Sequence, residues 1–381
     1  MPFDELLQRL VHVTPGQKSY LSLYLDLSPD RSGKKLHSVF LKSRLTELSG
    51  FLPAHSPEKS YLAKDIKRVQ KYLEEELDPS WKGIAIFACA AEDVFIPIPM
   101  PLPPENALDL APYPHLFSLL RHTDLYKTHS VVVADSRQAR LFLVHLARLE
   151  KQLTLSWEDK HTTRFGRMGL SSQRFQRHIQ EHIKQRGKEI IENLGKMINS
   201  GKTENLFLVA EKGMEAEIKK QLSATWKRKL VSLPSLDPHD PDHKILSAAS
   251  EALRSLSRQR AEALAKHILD EAVPLGQATS GSEPTLSALQ NHQVERMVFD
   301  VKFDAAGWRC PECYSLGWGG LPSACPFCNK GISPANLREE IVAKAKSQGI
   351  ELFFTENFLP LKRAGGVAAL LKYKTAKRTK G

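Results

Sequence analysis

Hydrophobic and polar positions in the first third of the chain follow strand-like and helix-like spacings in turn. Residues 19–28 alternate and are rich in strand-forming side chains, whereas residues 36–48 and 59–77 have the spacing of amphipathic helices. Residues 83–90 form a continuous apolar run, typical of a strand buried on both faces. Residues 95–114 are rich in proline, which removes ladder donors, so they are predicted to be an edge segment that leads out of the domain.

The middle of the chain also mixes the two periods. Two β-rich runs, residues 131–134 and 139–146, flank a polar turn and predict a hairpin. Further along, residues 204–211 and 230–234 are predicted strands, and residues 213–230 and 245–272 are predicted helices. Strands interleaved with helices predict an α/β sheet.

The last third begins after residues 276–284, which are small and polar and are predicted to be a linker. The next strand should place Val294, Met297, Phe299 and Val301 inward, and residues 338–357 read as a helix, a glycine cap and a strand. The fold class predicted for the whole chain is α/β in three α/β domains, residues 1–125, 126–275 and 276–381.

Composition limits the class of protein. The 381 residues are 41% hydrophobic and 25% charged, which is ordinary for a folded soluble protein, and the net charge of +11 points to an anionic partner. That charge alone fits nucleic acid, an acidic membrane surface or a basic enzyme. There is no membrane-length apolar run, and the first residues lack the pattern of a signal peptide, so a cytoplasmic location without membrane association is expected.

The strongest concentration of cations lies in residues 160–201. A basic loop, residues 160–173, has glycines and almost no apolar side chains, so it is expected to project into solvent. A helix capped by Ser171 or Ser172 should follow. Its apolar positions predict one buried face: Phe175, Ile179, Ile183, Ile190, Leu194 and Ile198. The other face is cationic, and Glu181 is its one acid in the first turns. It carries the cations Arg174, Arg177, Lys184, Arg186 and Lys188, and the further donors His178 and His182. This face is either a phosphate-binding surface or an ordinary solvated one.

Four of the five cysteines form two paired motifs. Cys310-x-x-Cys313 and Cys325-x-x-Cys328 are separated by eleven residues, and prolines and glycines that suit tight turns flank them. Two such knuckles predict structural Zn²⁺ with four thiolate ligands and no open coordination position, in a ribbon of residues 308–330. Iron in a rubredoxin-like ribbon or a redox pair are the alternatives. Cys89 is predicted to be a buried core thiol.

A second group of metal-ligand residue types lies in residues 237–243. It contains His239 and His243 together with Asp237, Asp240 and Asp242. Pro238 and Pro241 in the same segment fit a loop and a helix cap equally well. Both interpretations stay open from the sequence.

The order of residues in the basic loop resembles that of a known family. Residues 166–177, GRMGLSSQRFQR, resemble the tip of the middle domain of archaeal and eukaryotic class 1 peptide-chain release factors, where Gly-Arg-Gly-Gly-Gln precedes a Ser and an Arg-Phe-x-Arg run that opens a long helix. The matching positions are Gly166, Arg167, Gly169, Ser171, Arg174, Phe175 and Arg177. Met168 and Leu170 depart from the pattern, since they stand where the family has Gly and Gln.

The resemblance extends over most of the chain and identifies it as a member of the bacterial branch of that superfamily. It implies a kink-turn-binding ribosomal-protein-like fold for the last domain, interrupted by the zinc ribbon and ending in a glycine-rich turn, a helix, a strand and a basic tail. It also implies binding in the ribosomal A site, contact with ribosomal RNA and peptidyl-tRNA, and delivery by a translational GTPase. The expected RNA-binding residues are Arg164, Arg167, Gly169, Arg174, Arg177, His178 and Lys184.

The departures from the family pattern bear on catalysis. Leu170 has no group that orients water, and the stop-codon-reading Asn-Ile-Lys-Ser sequence is absent, which favours a non-catalytic factor in ribosome hibernation or stalled-ribosome handling over codon-specific termination. One relative in the family is a hibernation factor. Two alternatives remain: a peptidyl-tRNA hydrolase or ribonuclease that uses Gln173 or histidines such as His161, His178 and His182, and a zinc-ribbon RNA-binding protein unrelated to translation.

Overall fold

The structure is a computed structural model. It describes residues 3–13, 18–29, 37–51, 57–146, 148–157, 172–198, 203–233, 236–271 and 276–373. The chain divides into two compact units, one made of Met1–Thr123 with Leu256–Gly381 and the other of Asp124–Ser255. Within the described ranges the fold is mixed α/β with four separate sheets, and no helix in these ranges is both long and apolar enough to cross a membrane.

The amino-terminal part of the first unit is a four-stranded sheet covered by helices. Its elements are α1 (Phe3–Val11), β1 (Tyr20–Asp26), α2 (His37–Phe51), α3 (Pro57–Glu75), β2 (Gly83–Cys89), β3 (Val94–Met100), β4 (Ala107–Ala111) and α4 (Phe117–Leu120). The antiparallel order is β3-β2-β1-β4, with the apolar strands β1 and β2 at the centre. Cys89 is fully buried at the end of β2, as predicted.

The proline-rich segment forms the edge strand β3, which confirms the predicted edge position. Pro97 and Pro99 lie opposite Ile86 and Ile84 of β2, where a central strand would have lost ladder bonds on one side. The prediction that this segment leads out of the domain was wrong, because the chain returns through β4 at the other edge of the same sheet. The apolar face of that sheet packs against α2 and α3, through Leu41, Leu62 and Val69 among others.

The carboxy-terminal part of the first unit contains two sheets. Its elements are β10 (Ala278–Ser280), α9 (Ser282–Gln290), β11 (Val294–Asp300), β12 (Ala306–Arg309), β13 (Leu316–Trp318), β14 (Ser333–Asn336), α10 (Leu337–Ser347), β15 (Glu351–Thr355), α11 (Leu359–Arg363) and β16 (Val367–Leu371). One sheet has the order β10-β16-β11-β15 and the other β13-β12-β14. The parallel pair β11 and β15 is joined through α10, so the predicted helix, glycine and strand are confirmed.

Two sequence predictions in this part were wrong. The predicted linker is not a linker, since Ala278, Thr279 and Ser280 pair with β16 and α9 begins at Ser282. The helix α11 precedes the glycine turn instead of following it, and the chain passes from Gly365 and Gly366 directly into β16. Both glycines have positive φ, 94° and 75°, a conformation that only glycine adopts at little cost.

Residues 113–120 attach the two parts of the first unit to each other. The backbone N–H of Phe117 donates to Glu339 Oε2 of α10 at 2.9 Å, and the Phe117 ring meets the rings of Phe299 and Phe354 edge-on. Nearby, Arg309 Nε lies 3.4 Å from Glu340 Oε1, with both side chains 8% exposed. Both residues of this pair belong to the carboxy-terminal part, and the Arg309 guanidinium also lies 5.5 Å from the centre of the Tyr113 ring, which gives residues 113–120 a further contact with that part.

The second unit is built on a five-stranded sheet. Its elements are the 3-10 turn η1 (Thr123–Tyr126), β5 (His129–Ala134), β6 (Gln138–His145), β7 (Arg148–Ser156), α5 (Ser172–Ile198), β8 (Leu206–Ala210), α6 (Lys212–Gln221), α7 (Ala224–Lys229), β9 (Leu230–Ser232) and the start of α8 (Asp242–Glu271). The order is β7-β6-β5-β8-β9, with β5, β8 and β9 parallel, and the predicted β5–β6 hairpin is confirmed.

The helix predicted over residues 213–230 is instead two helices. Leu222 is extended, with φ −60° and ψ 139°, which ends α6. The hydroxyl of Ser223 then accepts from Trp226 N and caps α7. A serine in the middle of a helical pattern therefore acted as a cap, a role that side chain is well suited to.

Candidate nucleic-acid interface and metal centre

The first half of α5 is an exposed arm. The helix has 27 residues and is about 40 Å long. Of the side chains described between Gln176 and Gln185, only that of Ile183 is even half-buried. Ile179, predicted on the buried face, is 43% exposed, and the buried face begins at Ile190 and Leu194. Apolar periodicity in the amino-terminal turns therefore does not lead to burial.

Cations occupy this exposed arm. Arg177, Lys184 and Lys188 are exposed. Lys184 Nζ lies 3.8 Å from Glu181, and Lys188 Nζ lies 3.7 Å from Glu192, both as pairs on the helix surface. Such exposed pairs contribute little and exchange readily for another anion. The arm can therefore present positive charge to a phosphate backbone.

Arg186 does not belong to the cationic face, which corrects the sequence prediction. Its side chain is 9% exposed, its guanidinium lies 5.5 Å from the centre of the Trp157 ring, and its Nη1 donates to the Ser136 carbonyl. Trp157 Nε1 in turn donates to Glu189 Oε2 at 2.8 Å. The two helix residues thus hold the tryptophan that follows β7, which fixes the carboxy-terminal half of α5 against the sheet.

A close helix contact completes this attachment. A Cβ built on Gly187 would lie 3.1 Å from Gln221 Nε2 and 3.3 Å from Glu217 Cγ of α6. Gln221 Nε2 also donates to the Lys184 carbonyl at 2.9 Å. A side chain at position 187 would require these two side chains to shift by a few tenths of an ångström, so the glycine leaves room for them between α5 and α6.

The other predicted RNA-binding residues are only partly covered by the structure. Arg164, Arg167 and Gly169 lie outside the described residues, as do Met168 and Leu170. Gln173, Arg174 and His178 lie within α5, but their side chains are outside the described part. The predicted catalytic role of Gln173 therefore stays a prediction.

The aspartate and histidine segment is held as a loop. Arg140 donates to the carboxylate of Asp242 and to the carbonyls of Pro238 and Asp240, and Lys244 Nζ binds Asp240 Oδ1 at 2.7 Å. Within the ranges that the structure covers, only the four paired cysteines form a group of three or more ligand-type side chains close enough for one metal ion. The loop and cap interpretation is thus the one that the structure supports for residues 237–243.

The four paired cysteines converge on one point. The Sγ atoms of Cys310 and Cys328 are 3.5 Å apart, those of Cys313 and Cys325 are 3.6 Å apart, and all four lie within 4.8 Å of one another. A tetrahedral ion with metal–sulfur bonds of about 2.3 Å requires sulfur separations of about 3.8 Å. The four thiols therefore fit a tetrahedral metal.

The two knuckles have the same backbone geometry. In the first, Cys310 N donates to the Ser315 carbonyl and Tyr314 N to the Cys310 carbonyl; in the second, Cys325 N donates to the Lys330 carbonyl and Asn329 N to the Cys325 carbonyl. Tyr314 and Asn329 have positive φ, 56° and 58°. Hydrogen bonds from the Ser315 hydroxyl and backbone lower the pKa of Cys313 to about 6, which favours the thiolate that metal ions bind.

Two features of this centre were not found from the sequence. The left-handed conformation of Tyr314 could have been inferred from its place after the second cysteine of a knuckle, where Asn329 stands in the other one. The burial of Arg309 against Glu340 had no signal in the sequence, because an arginine is expected to be exposed.

The fold and these sites define an α/β protein with an exposed cationic helical arm and a four-thiol centre. Residues 114–254 match the model of bacterial archaeo-eukaryotic release factor family 10, so the matched segment includes the whole of α5. This match to part of the chain agrees with the release-factor resemblance of the sequence.

Comparison with solved structures gives weak likenesses to translation factors. Dom34 of S. cerevisiae has a TM-score of 0.42 and 10% identity and covers 98% of this chain and 94% of its own. Pelota of Archaeoglobus fulgidus has a TM-score of 0.35 and 10% identity, covering 76% and 79%. The C-terminal domain of the peptide chain release factor from Methanosarcina mazei has a TM-score of 0.28 and 18% identity, covering 36% and 98%. A search of curated proteins found no match.

The attachment of α5 can be tested by comparing two cations on the same helix. Arg186→Ala should lower the free energy of unfolding by about 2 kcal/mol, because it removes the bond to the Ser136 carbonyl and the contact with Trp157. Lys188→Ala also removes one positive charge, but from a side chain that is 73% exposed, and should change the free energy of unfolding by less than about 0.5 kcal/mol. Urea denaturation followed by circular dichroism measures both, and equal effects would contradict the anchoring role.

Proposed function

We propose that this chain is a release-factor-like factor that binds the ribosomal A site in the cytoplasm, in ribosome hibernation or stalled-ribosome handling. The observation that carries the proposal is the exposed cationic arm of α5, which lies inside the segment that matches the release-factor family. In this proposal the arm and the basic loop contact ribosomal RNA near the peptidyl-transferase centre, beside peptidyl-tRNA. A translational GTPase is the proposed delivery partner, which the family resemblance supports.

The electrostatic part of this proposal predicts a salt-dependent association with ribosomes. Replacing Arg164, Arg167, Arg174 and Arg177 together by Ala should weaken binding and flatten the slope of log affinity against log salt by about one unit per lost phosphate contact. The measurement is co-sedimentation of the full chain with purified ribosomes over a series of salt concentrations.

A matched variant separates this face from net charge. Lys64, Lys67, Arg68 and Lys71 lie exposed along α3, and their joint replacement by Ala removes the same number of charges from another surface. That variant should keep nearly the native slope. If the two variants lost the same affinity, the arm would be an ordinary solvated surface and the binding a property of overall charge.

The proposed factor does not catalyse peptide release. Leu170 and Met168 stand where the family has the water-positioning Gln and a Gly, and an aliphatic side chain cannot orient an attacking water. The second candidate is a peptidyl-tRNA hydrolase or ribonuclease that uses Gln173, one residue into α5. The third is an RNA-binding protein that acts outside translation.

An assay of release distinguishes these candidates. The native protein should occupy ribosomes that carry labelled peptidyl-tRNA and leave the peptide attached at the uncatalysed rate. Free peptide is measured after acid precipitation, with intact ribosomal RNA checked on a denaturing gel. Turnover well above background that disappears in Gln173→Ala would make the protein a hydrolase and end the non-catalytic proposal.

We also propose that residues 1–125, 126–275 and 276–381 are the three domains, and that the last is a kink-turn-binding ribosomal-protein-like fold with a zinc ribbon at residues 308–330. The sulfur geometry supports zinc as the metal, with Cys310, Cys313, Cys325 and Cys328 as ligands. When bound, the zinc would supply only structural cross-linking, since four thiolates leave no position for substrate.

The metal proposal predicts about one equivalent of zinc per chain, since four thiolates complete one tetrahedral site. Removing it should unfold the ribbon, because structural zinc contributes on the order of 10 kcal/mol in small domains. Elemental analysis of protein purified without chelator measures the metal and also separates zinc from iron. Cys325→Ser should lose the ion, whereas Cys89→Ala, which changes a buried thiol in β2, should retain it. Less than about half an equivalent in the native protein would overturn the assignment.

A further inference from the structure

The four-thiol ribbon carries exposed aromatic rings that its fold does not use. Tyr314 is 44% exposed, Trp318 is 43% exposed and Phe327 is 70% exposed, all within residues 306–336. The apolar cluster of the ribbon consists of other residues, chiefly Trp308, Cys310 and Cys325, with Cys328 and Ile332. Exposed rings contribute little to folding, so their presence in so small an element needs another explanation.

Tyr314 adds an energetic argument. It has φ 56°, a left-handed conformation that is strained for a bulky side chain and that asparagine adopts more readily. The matching position of the second knuckle is occupied by Asn329, at φ 58°. Both knuckles thus require a left-handed residue at the same position, and different residues occupy it. Tyrosine is the more strained of the two there, and burial of its ring does not offset that strain, since the ring is exposed.

The positive charges beside the ribbon indicate the kind of ligand. Lys330 is exposed and follows the second knuckle directly, and residues 306–336 contain a single acid, Glu312. Gln290 makes two hydrogen bonds to the backbone of Leu316 in β13, and Lys372 Nζ donates to the carbonyl of His292 just beyond α9. The last described residues therefore lie beside the end of α9, the helix that contacts β13, and Lys372 and the 75% exposed Tyr373 add a cation and a ring there. The sequence after them adds Lys374, Lys377, Arg378 and Lys380.

From these observations we infer that the ribbon binds unpaired RNA bases, with Tyr314, Trp318 and Phe327 as stacking platforms and with Lys330 and Lys372 facing the phosphates. Every base has a flat apolar face, and an aromatic ring that stands in solvent can stack on it without regard to sequence. A protein partner would be held by contiguous apolar area, whereas here the exposed apolar side chains are three rings and Leu321, with Gly319 and Gly320 between Trp318 and Leu321 and with the exposed Lys330 in the same element. The inference rests on the proposed function, in that it assigns a second RNA contact to the same factor.

The test compares unpaired with paired RNA. The full chain is titrated with a labelled uridine-rich single strand of about 12 nucleotides and with a duplex of equal length, by fluorescence anisotropy at fixed salt. Tyr314→Asn and Phe327→Gln should each reduce single-strand affinity by about fivefold to a hundredfold, as expected for loss of one stacked base. Duplex affinity should change by less than about twofold, because paired bases offer no free face and the phosphate contacts remain.

The two substitutions are chosen to leave the ribbon folded. Positions 314 and 329 correspond in the two knuckles, and Asn at position 314 reproduces Asn329. Positions 312 and 327 also correspond, and Gln at position 327 has the shape of Glu312 without its charge. Tyr314→Asn should keep its metal and melt no lower than the native protein, since it relieves the left-handed tyrosine. Tyr61→Ala is the matched control, because it removes a tyrosine that is 40% exposed on α3, away from the ribbon, and should change neither affinity.

Three results would overturn the inference. Native single-strand affinity in both folded variants would show that the rings bind no bases. An equal loss on single strand and duplex would show an effect on charge or folding. Ribosome sedimentation lost while single-strand affinity is kept would assign the rings to a ribosomal protein instead. Failure of the native chain to sediment with ribosomes would defeat the proposed function alone, since the single-strand titration is measured without ribosomes.

Discussion

The contact between Arg186 and Trp157 is the constraint on which the candidate interface depends. A helix of 27 residues whose described side chains between Gln176 and Gln185 are nearly all exposed needs a firm attachment in its second half. Trp157 supplies one, because its ring lies beneath the guanidinium and its indole N–H reaches Glu189. The same tryptophan is the last described residue before the basic loop, and its backbone N–H donates to the Arg137 carbonyl at 2.8 Å. The strand before the loop is thereby fixed to the carboxy-terminal half of the helix that follows the loop.

The four-thiol ribbon is a small element with little side-chain packing of its own. Its three short strands enclose few apolar side chains, so the metal proposed for its knuckles would take the place of a core. The ribbon is joined to α10 by the buried pair of Arg309 and Glu340, and burial raises the pKa of the Glu340 carboxyl, since its charge is removed from water. Arg309 directly precedes Cys310, so the first of the four cysteines follows the residue whose guanidinium contacts the Tyr113 ring.

Local patterns predicted much of the fold, and the failures have physical causes. The sequence predicted three of these features correctly, because each depends on residue patterns within a short segment: the β5–β6 hairpin, the proline-rich edge strand, and the helix and strand after residue 338. The predicted linker failed because Ala278, Thr279 and Ser280 are strand residues only through their pairing with β16, some ninety positions later in the chain. The predictions for Ile179 and Arg186 were wrong for one reason. A helical wheel predicts which residues share a face of a helix, but not which part of the helix the rest of the fold covers. The cysteine spacing predicted the thiol cluster, whereas the placement of Tyr314 depends on backbone geometry that its residue type does not favour.

The two prolines of β3 have a consequence beyond marking an edge. The N–H groups of an edge strand point alternately toward its neighbour and away from the sheet, and a proline is tolerated only where the group would have pointed away. Pro97 and Pro99 therefore remove two donors from the outer side of the strand. A β-strand from another molecule would meet carbonyl groups there without the matching donors. That side of the sheet is thus protected against edge-to-edge association between copies, the hazard that an open strand otherwise presents in a concentrated solution.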